Sequence, residues 1–226
     1  MNRTICIAVC AIVAGCAASG GNQTGPQAQT NPAQAAQPVK APTASKPPPG
    51  APKDKLENVP LKWMPREASA PGDLVLAGAS QVKLQVLPVT DVRTDKVLLG
   101  QNREKTPYRK FTTRDDVPAF VTLHMQQLFA DTGVAIVDSG ATRVMKTDLV
   151  KCYVDETDQY RGEVVLDVNL TDSSGKTVWS GITVGTATNF GRSYKDENYY
   201  ETLSDALARA IYQLLLNPEF EHALVK

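Results

Sequence analysis

Residues 164–184, VVLDVNLTDSSGKTVWSGITV, form a strand, a turn and a returning strand. In the first arm Val164, Leu166, Val168 and Leu170 alternate with Val165, Asp167, Asn169 and Thr171, the two-residue period of a half-buried strand. Asp172, Ser173, Ser174 and Gly175 make the turn, with the glycine available for a positive φ. The second arm runs to Ala187. Its alternation puts Val178, Ile182 and Val184 on one face and Trp179 and Thr183 on the other. One face of this hairpin is apolar and needs a cover.

The cover comes from helices on either side in the sequence. Residues 198–216 are the clearest helix: Tyr200, Leu203, Leu207, Ala210, Ile211 and Leu214 share one side, and Ala206 and Ala210 are small enough for close approach to a sheet. Asn217-Pro218 stops it. Upstream, Asp115 or Asp116 caps a second helix that tolerates Pro118 in its first turn. Its apolar stripe is Val117, Phe120, Val121, Met125 and Leu128, and Gly133 ends it. Val82, Leu84 and Val86 predict a strand before this helix, and Val134 and Ile136 a short one after it. Such a unit pairs its strands in parallel. Residues 91–114 read as a polar loop and 148–155 as a further strand. The predicted fold is α+β: a mixed β-sheet with two main helices on one face, a β-α-β unit followed by an antiparallel meander and a C-terminal helix. The other sheet face then carries Lys83, Gln85, Asp167, Asn169, Thr171, Trp179 and Thr183.

The N-terminus is of a different kind. Residues 5–16, ICIAVCAIVAGC, follow a short basic start at Arg3. Nine apolar residues are too few to span a bilayer but suit an export signal. Val13-Ala14-Gly15-Cys16 resembles the lipobox of exported lipoproteins, which implies acylation of Cys16 and removal of residues 1–15. Eleven of the fifteen prolines lie at or before Pro71, among Gly, Ala, Gln, Ser and Thr. Residues 16–72 therefore read as a lipidated cysteine and a disordered Pro-rich tether, with Leu61, Trp63 and Met64 as candidates to dock on the folded part. Residues 73–226 read as a single domain.

Composition narrows the function. Loss of Arg3 with the signal leaves 23 basic against 24 acidic side chains. No nucleic-acid partner is expected from so balanced a charge. Only Cys152 of the four cysteines stays free in the mature chain, so an internal disulfide framework is ruled out. No phosphate-binding loop, dinucleotide fingerprint or nucleophile elbow occurs, and no cofactor or metal is expected. His124 falls in a helix stripe and reads as a packed core residue. Cys152 reads as a small buried hydrophobe. The chain is expected not to be an enzyme.

LPVTDVR (residues 87–93), LLG (98–100), LTDSSGKTVWSG (170–181) and the closing NFG…YYETLSDALARAIYQLL together resemble the YajG-type bacterial lipoprotein family. The hairpin and closing helix also resemble a wider group with penicillin-binding-protein activator and transport-auxiliary lipoproteins. The resemblance implies an envelope location and no assigned reaction. Ala17 after Cys16 implies sorting to the outer membrane, with the domain facing the periplasm. The expected function is a non-enzymatic binding or adaptor module with an envelope protein as partner. A regulator of a peptidoglycan synthase and a cell-wall-modifying enzyme are the alternatives. Besides Cys16, the candidate partner-binding residues are Asp91, Arg93 and Trp179.

Overall fold

The computed structural model describes residues 55–66, 74–192 and 195–226. The signal, Cys16 and the tether up to residue 54 lie outside the described residues, as do 67–73 and 193–194. In chain order the elements are β1 (Lys55–Asn58), β2 (Lys83–Val86), β3 (Thr90–Asp91), β4 (Leu98–Asn102), β5 (Arg109–Thr112), α1 (Val117–Asp131), β6 (Ala135–Ile136), β7 (Arg143–Glu156), β8 (Tyr160–Asp172), β9 (Thr177–Asn189), α2 (Asp196–Leu215) and α3 (Pro218–Val225).

Strand β7 is the axis of one nine-stranded mixed sheet. One of its sides pairs antiparallel with β8, from Arg143 opposite Asp172 to Glu156 opposite Tyr160. Its other side is tiled by three short parallel partners: β2 from Arg143, β3 from Asp148 and β4 from Val154. The expected β-α-β unit is present, with β2 and β6 parallel on either side of α1 in the sequence. Residues 91–114, read above as a loop, instead contain β4 and β5. Strands of four and five residues carry too few alternations to betray a period, and β4 buries consecutive residues Leu99 and Gly100.

Helix α1 starts where the sequence placed it: the Asp116 carboxylate accepts from the Ala119 N–H at 2.9 Å, and Pro118 sits in the first turn. Val117, Val121, Met125 and Leu128 are buried, as is Phe129. Val164, Leu166, Val168 and Leu170 of β8 are likewise buried. Helix α2 lies close on β8 and β9 because glycines face it. A Cβ on Gly185 would stand 1.9 Å from the Ala206 carbonyl oxygen, and one on Gly162 would stand 2.7 Å from a Thr202 carbon.

That close approach reverses the expected faces of β9. Thr183 pairs with Leu166 and Trp179 with Leu170, so all four side chains point to the helix side. Thr183 is buried and donates to the Ala210 carbonyl at 2.6 Å, while Ile182 and Val184 stand on the open face, 66% and 44% exposed. At Gly185 the helix backbone leaves no room for a side chain, and the neighbouring Ile182 and Val184 face outward, whereas Trp179, beyond the end of α2, turns inward against α3. Trp179 is therefore not on the open face. Asn217 also does more than follow the stop of α2: its side chain accepts from the Glu219 and Phe220 N–H groups and starts α3.

The folded part begins earlier than residue 73. Strand β1 pairs in parallel with β5 from Lys55 opposite Arg109 to Asn58 opposite Thr112. The segment after it crosses α1 and α2. The Leu61 N–H donates to Asp115 at 2.7 Å, the Met64 N–H to the Ser204 hydroxyl at 3.1 Å and the Arg66 N–H to Asp205 at 2.7 Å. Trp63 stacks on His124 with ring centroids 4.1 Å apart. Apolar Leu61 and Trp63 thus serve the core, at the end of a stretch whose average composition is that of a linker.

Candidate functional site

The sequence-derived candidates come apart in space into two local arrangements. Asp91 ends β3, and Arg93 follows it into the turn toward β4. The Arg93 guanidinium grips its neighbour through both carboxylate oxygens, Nε to Oδ1 at 2.9 Å and Nη2 to Oδ2 at 2.8 Å. It also donates to the Lys96 carbonyl at 2.6 Å and the Leu98 carbonyl at 3.3 Å. The Arg93 N–H bonds Asp91 Oδ1 as well. With the side chain only 5% exposed, the fork faces the turn it shapes rather than the surface. Burial pushes the Asp91 carboxyl up, but the Arg93 hydrogen bonds and charge outweigh this and hold it below its ordinary value.

Trp179 stands elsewhere, at the start of β9. Its ring meets Phe220 of α3 edge-on, with centroids 5.0 Å apart and planes at 81°. It is half-buried and lines a groove of about 820 Å³ between α3 and the ends of β7, β8 and β9. Arg143, His222 and Lys226 line this groove together with Asp172 and Glu219, and the Asp172 carboxylate accepts from Ser174 and Lys176 of its own turn. Arg143 also fastens the groove's wall: its Nε donates to the Ala223 carbonyl of α3 at 2.7 Å and its Nη1 to the Thr142 carbonyl at 2.9 Å. An aromatic floor ringed by mixed charge suits a peptide or another polar, partly planar group.

Two other side chains able to do chemistry, Cys152 and His124, lie away from this groove. Cys152 is buried opposite Val164, and burial pushes its thiol up to about 11, so the thiolate that nucleophilic chemistry needs is suppressed. His124 is buried between Trp63 and Phe120, and burial lowers its pKa. No group of three His, Cys, Asp or Glu among the described residues is placed to hold a metal ion. No helix among them is long and apolar enough to cross a membrane.

One polar cluster escaped the sequence reading. Tyr199 of α2 donates to the buried Glu156 carboxylate at the end of β7, and its ring meets those of Phe111 and Tyr160. Tyr160 donates to the Arg192 carbonyl at 2.8 Å. Burial first, then the adjacent Glu156, raises the Tyr199 phenol far above its usual range; burial pushes Tyr160 up to about 12. Both phenols stay protonated and act as donors. The tyrosine pair in NYYETLSDA was visible, but its partner Glu156 is 43 residues away in sequence.

No protein-family model matches the chain, and no curated protein matches it by sequence. Solved structures do. A Xanthomonas campestris protein described under the family DUF330 superposes with a TM-score of 0.50 at 12% identity, covering 74% of this chain and 96% of its own. A Neisseria meningitidis lipoprotein gives 0.33 at 12% identity, covering 50% and 88%, and a minor lipoprotein of Acinetobacter baumannii gives 0.34 at 9%, covering 60% and 93%. The Xanthomonas protein shares the fold; identities this low carry nothing about activity.

Proposed function

We propose that this chain is an exported lipoprotein, acylated on Cys16 and held at the outer membrane, whose α+β domain is a non-enzymatic module that binds another protein of the envelope. The observation that carries the reading is Val13-Ala14-Gly15-Cys16 behind the apolar run of residues 5–13. Small residues fit the narrow site of a signal protease, and the thiol is the nucleophile that takes the lipid. The YajG-type affiliation belongs to this proposal, on the strength of residues 87–93 and 170–181. Support for a binding role comes from the Trp179 groove, which combines an aromatic floor with a polar rim. Cys152 and His124 are buried outside it, and His222 is the histidine that lines it.

Two measurements test the two halves. Cys16→Ser should abolish labelling by a palmitate analogue and leave unprocessed precursor; normal labelling would reject the anchor. For the groove, a photo-crosslinking residue at Glu219 should trap one envelope protein in intact cells. Filling the groove with Ala223→Phe should abolish that adduct, and an adduct indifferent to the filling would remove the groove from the reading.

A further inference from the structure

Strand β9 is an edge. Among the described residues it pairs with β8 alone, so one side of its backbone is left without a ladder. Proteins usually guard such edges with lysine, proline, short length or bulges, because an open edge templates pairing with another strand. The 13 residues of β9, TVWSGITVGTATN, contain no charged residue and no proline. The bulge between β8 and β9 comes at Val178, before Trp179; from Trp179 to Asn189 the register is regular. One guard exists: Arg209 of α2 reaches the Thr186 carbonyl at 2.8 Å. It also marks even-numbered residues as those whose backbone groups point away from β8.

The sequence of this edge reads nearly the same in both directions about Thr183. Ser180-Gly181-Ile182 on one side mirrors Val184-Gly185-Thr186 on the other. We infer that β9 is the contact between two copies of this chain, paired antiparallel edge to edge about a two-fold axis at Thr183. In this register Ile182 faces the partner's Val184, Gly181 its Gly185 and Ser180 its Thr186. Each β-branched side chain meets another, and each hydroxyl another hydroxyl, as self-complementary two-fold contacts require. Parity agrees. Ile182 and Val184 are even-numbered, so their outward N–H and C=O groups bond one another, while Thr183 stays turned toward β8.

Charge and area identify a second copy as the occupant. Pairing two uncharged strands brings no like charges together. The nearest carboxylate pair on the open face, Asp167 with the other copy's Asp167, is separated by three strand spacings, roughly 14 Å, beyond the screening length at physiological salt. The exposed Ile182 and Val184 of the two copies would form one four-residue apolar cluster on the open face, flanked by Val165. Thr183 and Val184 of this edge line a groove together with Gln213, Leu214 and Asn217 at the end of α2. Nine paired residues span about 30 Å and, with their flanks, remove roughly 1,000 Å² in total from water, the low end for a specific contact. Forming the dimer releases Arg209 from Thr186.

The test is sedimentation of the full chain in excess detergent micelles from about 1 to 200 μM. A mass rising from monomer to dimer is expected, and Ile182→Lys with Val184→Lys, both at exposed positions, should raise the dissociation constant at least tenfold. Independently, chains carrying Ile182→Cys mixed with chains carrying Val184→Cys should form a disulfide-linked dimer on mild oxidation, above the background of the parent chain. A monomer throughout the range would overturn the inference and assign the edge to a strand of another protein. A dimer indifferent to both lysines would overturn it as well.

Discussion

Truncating Arg93 to alanine is expected to destabilise the domain by about 3 kcal/mol. The side chains of Arg93 and Asp91 are only 5% and 9% exposed, and the guanidinium makes four hydrogen bonds, two to Asp91 and one each to the carbonyls of Lys96 and Leu98. Arg93→Ala leaves a carboxylate and two carbonyls without that donor. Removing one member of a buried ion pair costs about 3–5 kcal/mol. The turn contains exposed Asp95 and Lys96 and can open to water, which favours the lower end. At roughly 2–4 °C per kcal/mol for a domain of this size, the melting temperature should fall by roughly 6–12 °C. The pH dependence gives a second reading. Asp91 titrates below its ordinary 3.8 in the folded chain, so its pair adds stability above that value and loses it as pH falls through the folded pKa. The penalty of Arg93→Ala, measured by urea unfolding, should be full at pH 7 and smaller at pH 3. A loss under about 1 kcal/mol at pH 7 would refute the reasoning, since that is what an exposed pair contributes.

Three further outcomes are expected. Gly185→Ala should cost more than about 3 kcal/mol in urea unfolding, because its Cβ would stand 1.9 Å from the Ala206 oxygen and 2.3 Å from the Ala210 nitrogen, both backbone atoms that cannot swing aside. His124 has its pKa lowered from 6.5 by burial, so the unfolded chain takes the proton first. The urea midpoint should therefore fall as pH drops below about 6.5, and His124→Phe should flatten that slope between pH 7 and 5. Cys152, with its thiol pushed up to about 11, should react with a thiol reagent at pH 8 only as fast as the domain unfolds; rapid labelling of the native protein would contradict its burial.

Long, strongly periodic elements could be read from the chain alone. Leu203, Leu207, Ile211 and Leu214 marked α2, and Asp115 or Asp116 with Pro118 marked the start of α1, where the structure selects Asp116, because capping and periodicity are local. The faces of β9 could not be read the same way. Its alternation was clear, but which set points inward depended on the height of a helix over Gly185, a distance set by Ala206 and Ala210 further along the chain. β1 was hidden in the opposite manner: four residues, Lys55–Asn58, take strand form only because β5 offers them a ladder. Of the candidate site, the salt link in DVR was visible as a pattern, but whether Arg93 faces out or in follows from the carbonyls of Lys96 and Leu98. Trp179 was visible as an unusual residue, and its groove was not, because α3 forms the other wall.

The entry of the chain through β1 has a mechanical consequence. Among the described residues, a pull along the chain from the N-terminal side acts first at Lys55. There it meets four residues laid parallel to β5, then the anchors of Leu61 to Asp115, Met64 to Ser204 and Arg66 to Asp205 in series. A load directed along β1 must shear its ladder bonds together instead of peeling them one by one. The domain is thus gripped close to its point of attachment, and tension arriving from that side is met first by β1 and β5 at one edge of the sheet.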